Sequence, residues 1–201
     1  MKKHLIEKFK NKKAKIGVVG LGYVGLPFAV EKAKVGFTVI GIELNSEKVD
    51  MINNDRNYIS DVKDEDLSAV VNGGFLRAEN SFEIVKELDV IVIAVPTPLT
   101  KNLTPDISYI ESVTNEISKY LHKDMLICLE STTYPGTTEE IMQPILESTG
   151  LKVGDDFYLA HSPERVDPGN ARYTTKNTNK VVGGVGADSL EVAIEFYSQT
   201  I

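Results

Sequence analysis

Residues 15–29 read "KIGVVGLGYVGLPFA", in which small and β-branched residues enter three glycines and leave as a helical pattern. The glycines fall as Gly20-Leu21-Gly22-Tyr23-Val24-Gly25, the G-x-G-x-x-G spacing. Alone, that spacing would also suit a turn that only reverses the chain. Here it follows a buried-strand pattern and opens a helix. In that setting Gly20 allows the tight turn, Gly22 lets the backbone approach a pyrophosphate, and Gly25 lets the helix pack closely on the strand. The first N–H groups of the helix and its dipole then face the phosphates. Pro27 lies in the first turn, where a missing N–H has no helical partner to lose.

Outward from this stretch, apolar β-rich runs alternate with helical ones. Strands are expected at 14–20, 37–43, 75–79, 89–96, 125–130, 157–162 and 180–185. Their hydrophobicity is continuous, which marks strands buried on both faces. Ile107, Ile110, Val113, Ile117 and Leu121 recur at spacings of three and four and predict a helix over 106–121. Another helix opens at "PGTTEE" (135–140), with Pro144 set to kink or shorten it. The polar stretch 53–66 reads as a loop. Strand, helix, strand, repeated, gives right-handed crossovers and hence an α/β fold with a doubly wound, mostly parallel sheet, a Rossmann-like domain.

The second strand run ends in Glu43, 23 residues after Gly20, where a carboxylate accepts hydrogen bonds from adenosine ribose hydroxyls and repels a 2′-phosphate. No arginine follows closely, so NAD is favoured over NADP. Lys48, five residues on, is placed along the adenosine.

Composition narrows the field. The chain has 201 residues, 42% of them hydrophobic, and a net charge of −7. The first fifteen hold seven lysines and one glutamate, so the rest is distinctly acidic, a surface that repels nucleic acid. Residues 1–13 read as a solvated, partly frayed basic lead-in, and 14–201 as the nucleotide-binding domain. No apolar run reaches the roughly 18–20 residues of a membrane span, and no secretory signal opens the chain, so a cytoplasmic protein is expected. The single cysteine, Cys128, sits in the apolar run "MLICLES", where an inert buried thiol is expected and neither a disulfide within the chain nor a cysteine-based metal cluster can form.

Three further strand ends carry polar groups: "AVPTPLT" (94–100) offers Thr97, "ESTTYPGTT" (130–138) offers Thr132, and "HSPERVDPGN" (161–170) packs Glu164, Arg165 and Asp167 into one loop. Ordinary strand-to-helix turns and a surface turn would also read this way. Taken in order, "GLGYVGLPFA", "AVPTP", "STTYPGT" and "SPERVDPGN" resemble the UDP-glucose/GDP-mannose dehydrogenase family from about residue 14 to the end. "SPERVDPGN" in place of a "PEFL" form is most similar to the UDP-N-acetylglucosamine 6-dehydrogenase branch.

The resemblance implies oxidation of the C6 hydroxyl of a UDP-sugar to a carboxylate with two NAD, through an aldehyde and a cysteine thioester, in polysaccharide biosynthesis. It implies that Gly20, Gly22, Tyr23, Val24 and Gly25 hold the pyrophosphate and that Glu43 and Lys48 take the adenosine ribose. Pro96 and Thr97 also bind the cofactor, and Thr97 and Thr132 reach its nicotinamide end. Thr132 would also position a water. Glu164 would be the general base of the hydrolytic step, with Arg165 and Asp167 on the substrate side. Asp167-Pro168 stands where the "PEFL" form carries a second glutamate, whose duties are left unassigned.

The family's nucleophilic cysteine belongs to a central helix and a second, sugar-nucleotide domain, which the sequence does not reach. A partial, catalytically silent active site is therefore expected, belonging to a homo-oligomeric enzyme. Two other readings stand beside it: an NAD-binding regulatory module, and a 3-hydroxyacid or 6-phosphogluconate type dehydrogenase domain.

Overall fold

The computed structural model describes residues 2–101, 103–165 and 178–200. Strands β1 (Lys15–Val19), β2 (Thr38–Ile42), β3 (Leu76–Glu79), β4 (Val90–Ile93), β5 (Leu126–Leu129), β6 (Tyr158–His161) and β7 (Gly183–Gly184) form one sheet in the order β3-β2-β1-β4-β5-β6-β7. Pairing is parallel from β3 through β6, and β7 joins β6 antiparallel. The chain winds outward from β1 through β2 to β3, then returns to the other side of β1 as β4. That reversal makes the carboxyl ends of β1 and β4 a topological switch point, where ligands of open α/β sheets bind.

Alternate residues of each central strand serve two cores. Ile16, Val18, Val90, Val92, Leu126, Cys128, Tyr158 and Ala160 face one layer. Val19, Ile91, Ile93, Ile127, Leu129 and Leu159 face the other. Burial on both sides is why these strands are continuously apolar. They are shorter than the apolar runs because pairing stops at Ile93 and Leu129, and the residues beyond leave the sheet to form loops at its edge.

The first layer contains α2 (Gly25–Lys34), which returns the chain from β1 to β2, and α7 (Ala187–Ser198). Helix α5 (Ser108–Ser118) lies on the opposite layer with Ile110, Val113 and Ile117 buried, starting two residues inside the expected range and ending three residues inside it. The helix expected from 135 opens as a wide π turn at Thr138–Met142 and continues as α6 (Gln143–Glu147), with Pro144 in the first turn of a segment only five residues long.

The stretch 53–66 is more ordered than its polarity implies. It leaves α3 (Ser46–Asn53), buries Ile59 and Val62, and enters α4 (Asp64–Asn72).

One expectation is corrected outright. The lysine-rich start is not a frayed lead-in: Lys2–Lys10 form helix α1, with Leu5 and Phe9 buried. Phe9 meets Phe196 of α7 with ring centroids 5.5 Å apart. Lys2 bridges Asp188 and Glu191 of α7, each at 2.7 Å. The lysines sit on the face turned from the core, so the charge that marks the stretch as solvated describes only that face.

Lys32 of α2 is fully buried. Its Nζ donates to the Phe196 carbonyl at 2.6 Å and lies 3.8 Å from the Phe196 ring centroid. Burial lowers its pKa to about 7, with Glu130 and Cys128 opposing and Lys12 and Lys180 adding to the shift. An unfolded lysine keeps its proton to about 10.5, so between these values the unfolded chain binds more protons and stability rises with pH. Lys32→Met removes this dependence. The margin in melting midpoint between Lys32→Met and wild type should therefore shift in favour of wild type as pH rises from about 6 to about 9.5; a margin independent of pH would contradict a buried, titrating amine.

Candidate functional site

The glycine loop joins β1 to α2 at the switch point. Gly20 has φ +87, a left-handed conformation, and a Cβ there would lie 2.7 Å from the Ala94 carbonyl oxygen of the neighbouring strand end. A Cβ on Gly25 would run into the Gly20 carbonyl, so only glycine lets α2 sit this close to the loop. Gly22 differs: a Cβ there would meet no atom within 4 Å. Its surroundings are the open ground that a pyrophosphate needs. Val24 precedes α2 and supplies no side-chain cap, so the N-terminal donors of the helix are left to the backbone and to any anion placed over them. Tyr23 is exposed above the loop.

Glu43 stands one residue past β2. Its Oε2 accepts from Leu21 N–H and its Oε1 from Asn45 N–H, both at 3.1 Å. These bonds seat the carboxylate beside the glycine loop, with lone pairs remaining for ribose hydroxyls. Asn45 caps α3, its Oδ1 accepting from Glu47 and Lys48 N–H. Lys48 thus lies in the first turn of α3, with Nζ 5.5 Å from the Tyr58 ring centroid. Glu43, Lys48 and the glycine loop are therefore brought together around the ends of β1 and β2.

The remaining candidates follow along the same edge. Pro96, exposed, and Thr97, half-buried, leave β4; Thr132, exposed, follows β5; Glu164 and Arg165 follow β6. Across the sheet order they run from β2 to β6, about 5 Å per strand. The Ser131 hydroxyl donates to the Val95 carbonyl at 2.8 Å and ties the β5 loop to the β4 loop. Asp167 lies outside the described residues.

Behind Glu164 is a charged group that the motifs do not announce. Lys180 Nζ lies 3.1 Å from Glu130 Oε1 and 3.6 Å from Glu164 Oε2, with the Glu130 side chain fully buried and that of Lys180 only 7% exposed. Burial raises the Glu130 pKa, and the Lys180 ammonium opposes the rise. Glu164 Oε1 accepts from Arg165 N–H at 2.7 Å, and the Arg165 guanidinium donates to the Asn179 carbonyl at 3.2 Å. Lys180 and Asn179 thus hold the two residues of the Glu164–Arg165 segment at the carboxyl edge of the sheet. Glu130 stands two residues after Cys128, but its partner is fifty residues away in sequence.

Cys128 is fully buried in β5, and burial with the neighbouring Glu130 charge pushes its thiol up to about 12. Shielding and a raised pKa are the opposite of what activates a nucleophilic thiol.

Among known proteins, the model of the UDP-glucose/GDP-mannose dehydrogenase family, NAD binding domain, matches residues 14–201. The chain is 36% identical over 184 residues to a UDP-N-acetyl-D-mannosamine dehydrogenase of Pyrococcus horikoshii, covering 91% of this chain and 44% of that protein. It is 34% identical over 188 residues to a UDP-N-acetyl-D-glucosamine 6-dehydrogenase of Salmonella typhi, covering 93% and 43%. Among solved structures, an NDP-N-acetyl-D-galactosaminuronic acid dehydrogenase from Methanosarcina mazei superposes with a TM-score of 0.85 at 36% identity, covering 98% of this chain and 44% of that one. The chain spans less than half the length of these relatives. No helix among the described residues is long and apolar enough to cross a membrane.

Gly22 and Gly25 make separable predictions. Gly22→Val should abolish NAD binding while leaving the circular dichroism spectrum unchanged, because the new side chain fills only open space. Gly25→Ala should lower the melting midpoint, because its methyl meets the Gly20 carbonyl. Unchanged NAD affinity in Gly22→Val would reduce the loop to a turn.

Proposed function

We propose a function from the premise that this chain belongs to the UDP-glucose/GDP-mannose dehydrogenase family, whose NAD-binding domain matches residues 14–201. The chain is the NAD-binding part of a UDP-sugar 6-dehydrogenase. Its substrate is a UDP-N-acetylhexosamine, the sugar class for which two of its relatives are named. The observation that carries the cofactor assignment is the seating of Glu43 against Leu21 N–H, beside an open Gly22.

The residues that would hold NAD lie along the sheet edge. Glu43 and Lys48 would hold the adenosine ribose; Gly20, Gly22, Tyr23, Val24 and Gly25 would surround the pyrophosphate; Pro96, Thr97 and Thr132 would flank the nicotinamide. NAD would supply the hydride acceptor. The sugar then faces Thr132 and the Glu164–Arg165 segment. Bound NAD would take up one hydride in each of two oxidations: the C6 hydroxyl to an aldehyde and, once a cysteine thiol has added to that aldehyde, the resulting hemithioacetal to a thioester, which water would then hydrolyse to the carboxylate and the free thiol. Glu164 accepts the proton of the attacking water, and Thr132 orients that water. Lys180, bridging Glu164 to the buried Glu130, keeps the base aimed along the edge. The covalent step is not assigned to Cys128, which is sealed in the sheet.

Two measurements test this reading. Isothermal titration should show NAD binding more tightly than NADP by about tenfold or more, equivalent to about 1.4 kcal/mol, since the Glu43 carboxylate repels a 2′-phosphate; equal affinity would overturn the role of Glu43. Absorbance of NADH should show no turnover by the 201-residue chain with UDP-N-acetylglucosamine, UDP-N-acetylmannosamine or UDP-glucose, because a near-attack geometry needs the sugar enclosed on more than one side. A longer polypeptide carrying the sugar-nucleotide domain should yield two NADH per UDP-N-acetylhexosamine. Turnover by the short chain, lost in Cys128→Ser, would refute the dismissal of that thiol.

A further inference from the structure

The peptide between Leu21 and Gly22 lies at the middle of the glycine loop, and Leu21 is held from both ends. Its N–H donates to Glu43 Oε2 at 3.1 Å, and its carbonyl accepts from the Tyr58 hydroxyl at 2.7 Å. The Leu21 side chain is fully buried. Tyr58 comes from the stretch between α3 and α4, which is itself anchored. Ile59 and Val62 are buried there, Asn57 Nδ2 donates to the Val62 carbonyl at 2.6 Å, and Asn57 Oδ1 accepts from Ile59 N–H at 2.9 Å.

A trans peptide is planar, so the Leu21 carbonyl and the Gly22 N–H point in opposite directions. Holding the carbonyl toward Tyr58 therefore aims the Gly22 N–H away from it, beside a glycine whose surroundings are open. We infer that Tyr58 is a positioning residue of the diphosphate site: its hydroxyl, by holding the Leu21 carbonyl, sets the Gly22 N–H in the direction from which it donates to a phosphate oxygen. The inference rests on the reading of the glycine loop as the seat of the diphosphate. Burial, and after it the Glu43 charge, push the Tyr58 phenol pKa up, so it remains a protonated donor.

The Tyr58 ring, over which Lys48 lies, is a separate contact from that of its hydroxyl. Tyr58→Phe separates the two, because it keeps the ring and removes the hydroxyl. Titration with NAD and ADP-ribose, and ligand-observed NMR with adenosine, should show the first two weakened about tenfold, the worth of one hydrogen bond, and adenosine unaffected. Unchanged NAD affinity overturns the inference, and so does an equal loss for adenosine. Gly22→Val is run in parallel. If it leaves NAD binding intact, the glycine-loop reading itself fails; if it abolishes binding while Tyr58→Phe changes nothing, only the present inference fails. Should Tyr58→Phe not fold, the ligand-free wild type decides: a Gly22 amide order parameter near 0.85, that of rigid backbone, supports a held peptide, and one below about 0.6 contradicts it.

Discussion

Everything at the site depends on the close approach of two glycines. The backbone of Gly25, at the first turn of α2, lies so near the Gly20 carbonyl that no Cβ fits between them. This contact sets α2 against the end of β1 and points its uncapped N-terminus over the switch point. Gly20 meets the same demand from the other side, turning with φ +87 beneath the Ala94 carbonyl of the neighbouring strand end. With these two fixed, Gly22 is left in the open. The loop is consequently rigid where it joins the fold and accessible where a ligand arrives.

Second to this contact is the network that orients the loop. Glu43 and Tyr58 reach Leu21 from different segments, after β2 and before α4, and each makes one hydrogen bond to its backbone. Glu43 therefore has two duties: it braces the loop and presents an acceptor beside it. Farther along the edge, the Glu130–Lys180–Glu164 group repeats the principle with charges. A buried carboxylate is tolerable because an ammonium neutralises it, and the same ammonium reaches the half-buried Glu164 on the outer side.

Much of this was legible in the sequence. Strands buried on both faces carry no polar side chain at their buried positions, so "IGVV" after the exposed Lys15 and "VIVI" announce themselves without a period. The glycine triplet carries its own steric logic, and Glu43 lies at the distance which that logic requires. What stayed hidden was hidden for particular reasons. Leu5 and Phe9 are spaced by four, but the lysines around them dominate any average, so α1 was missed. Tyr58 is a single aromatic in a polar stretch, with nothing local to show that its hydroxyl meets Leu21. Lys180 reaches Glu130 across fifty residues, and no spacing rule connects a strand end to a loop that distant. Local patterns report local structure; the braces of the site are long-range.

The central claim is that the edge formed by β2, β1 and β4 holds a dinucleotide with its adenosine on Glu43 and its diphosphate on Gly22. A crystal structure of this chain with ADP-ribose tests it most directly. The account predicts a ribose hydroxyl in hydrogen-bond contact with Glu43 and a diphosphate oxygen about 3 Å from the Gly22 nitrogen. A ligand bound elsewhere on the chain, or bound at this edge with its diphosphate remote from Gly22, would contradict it.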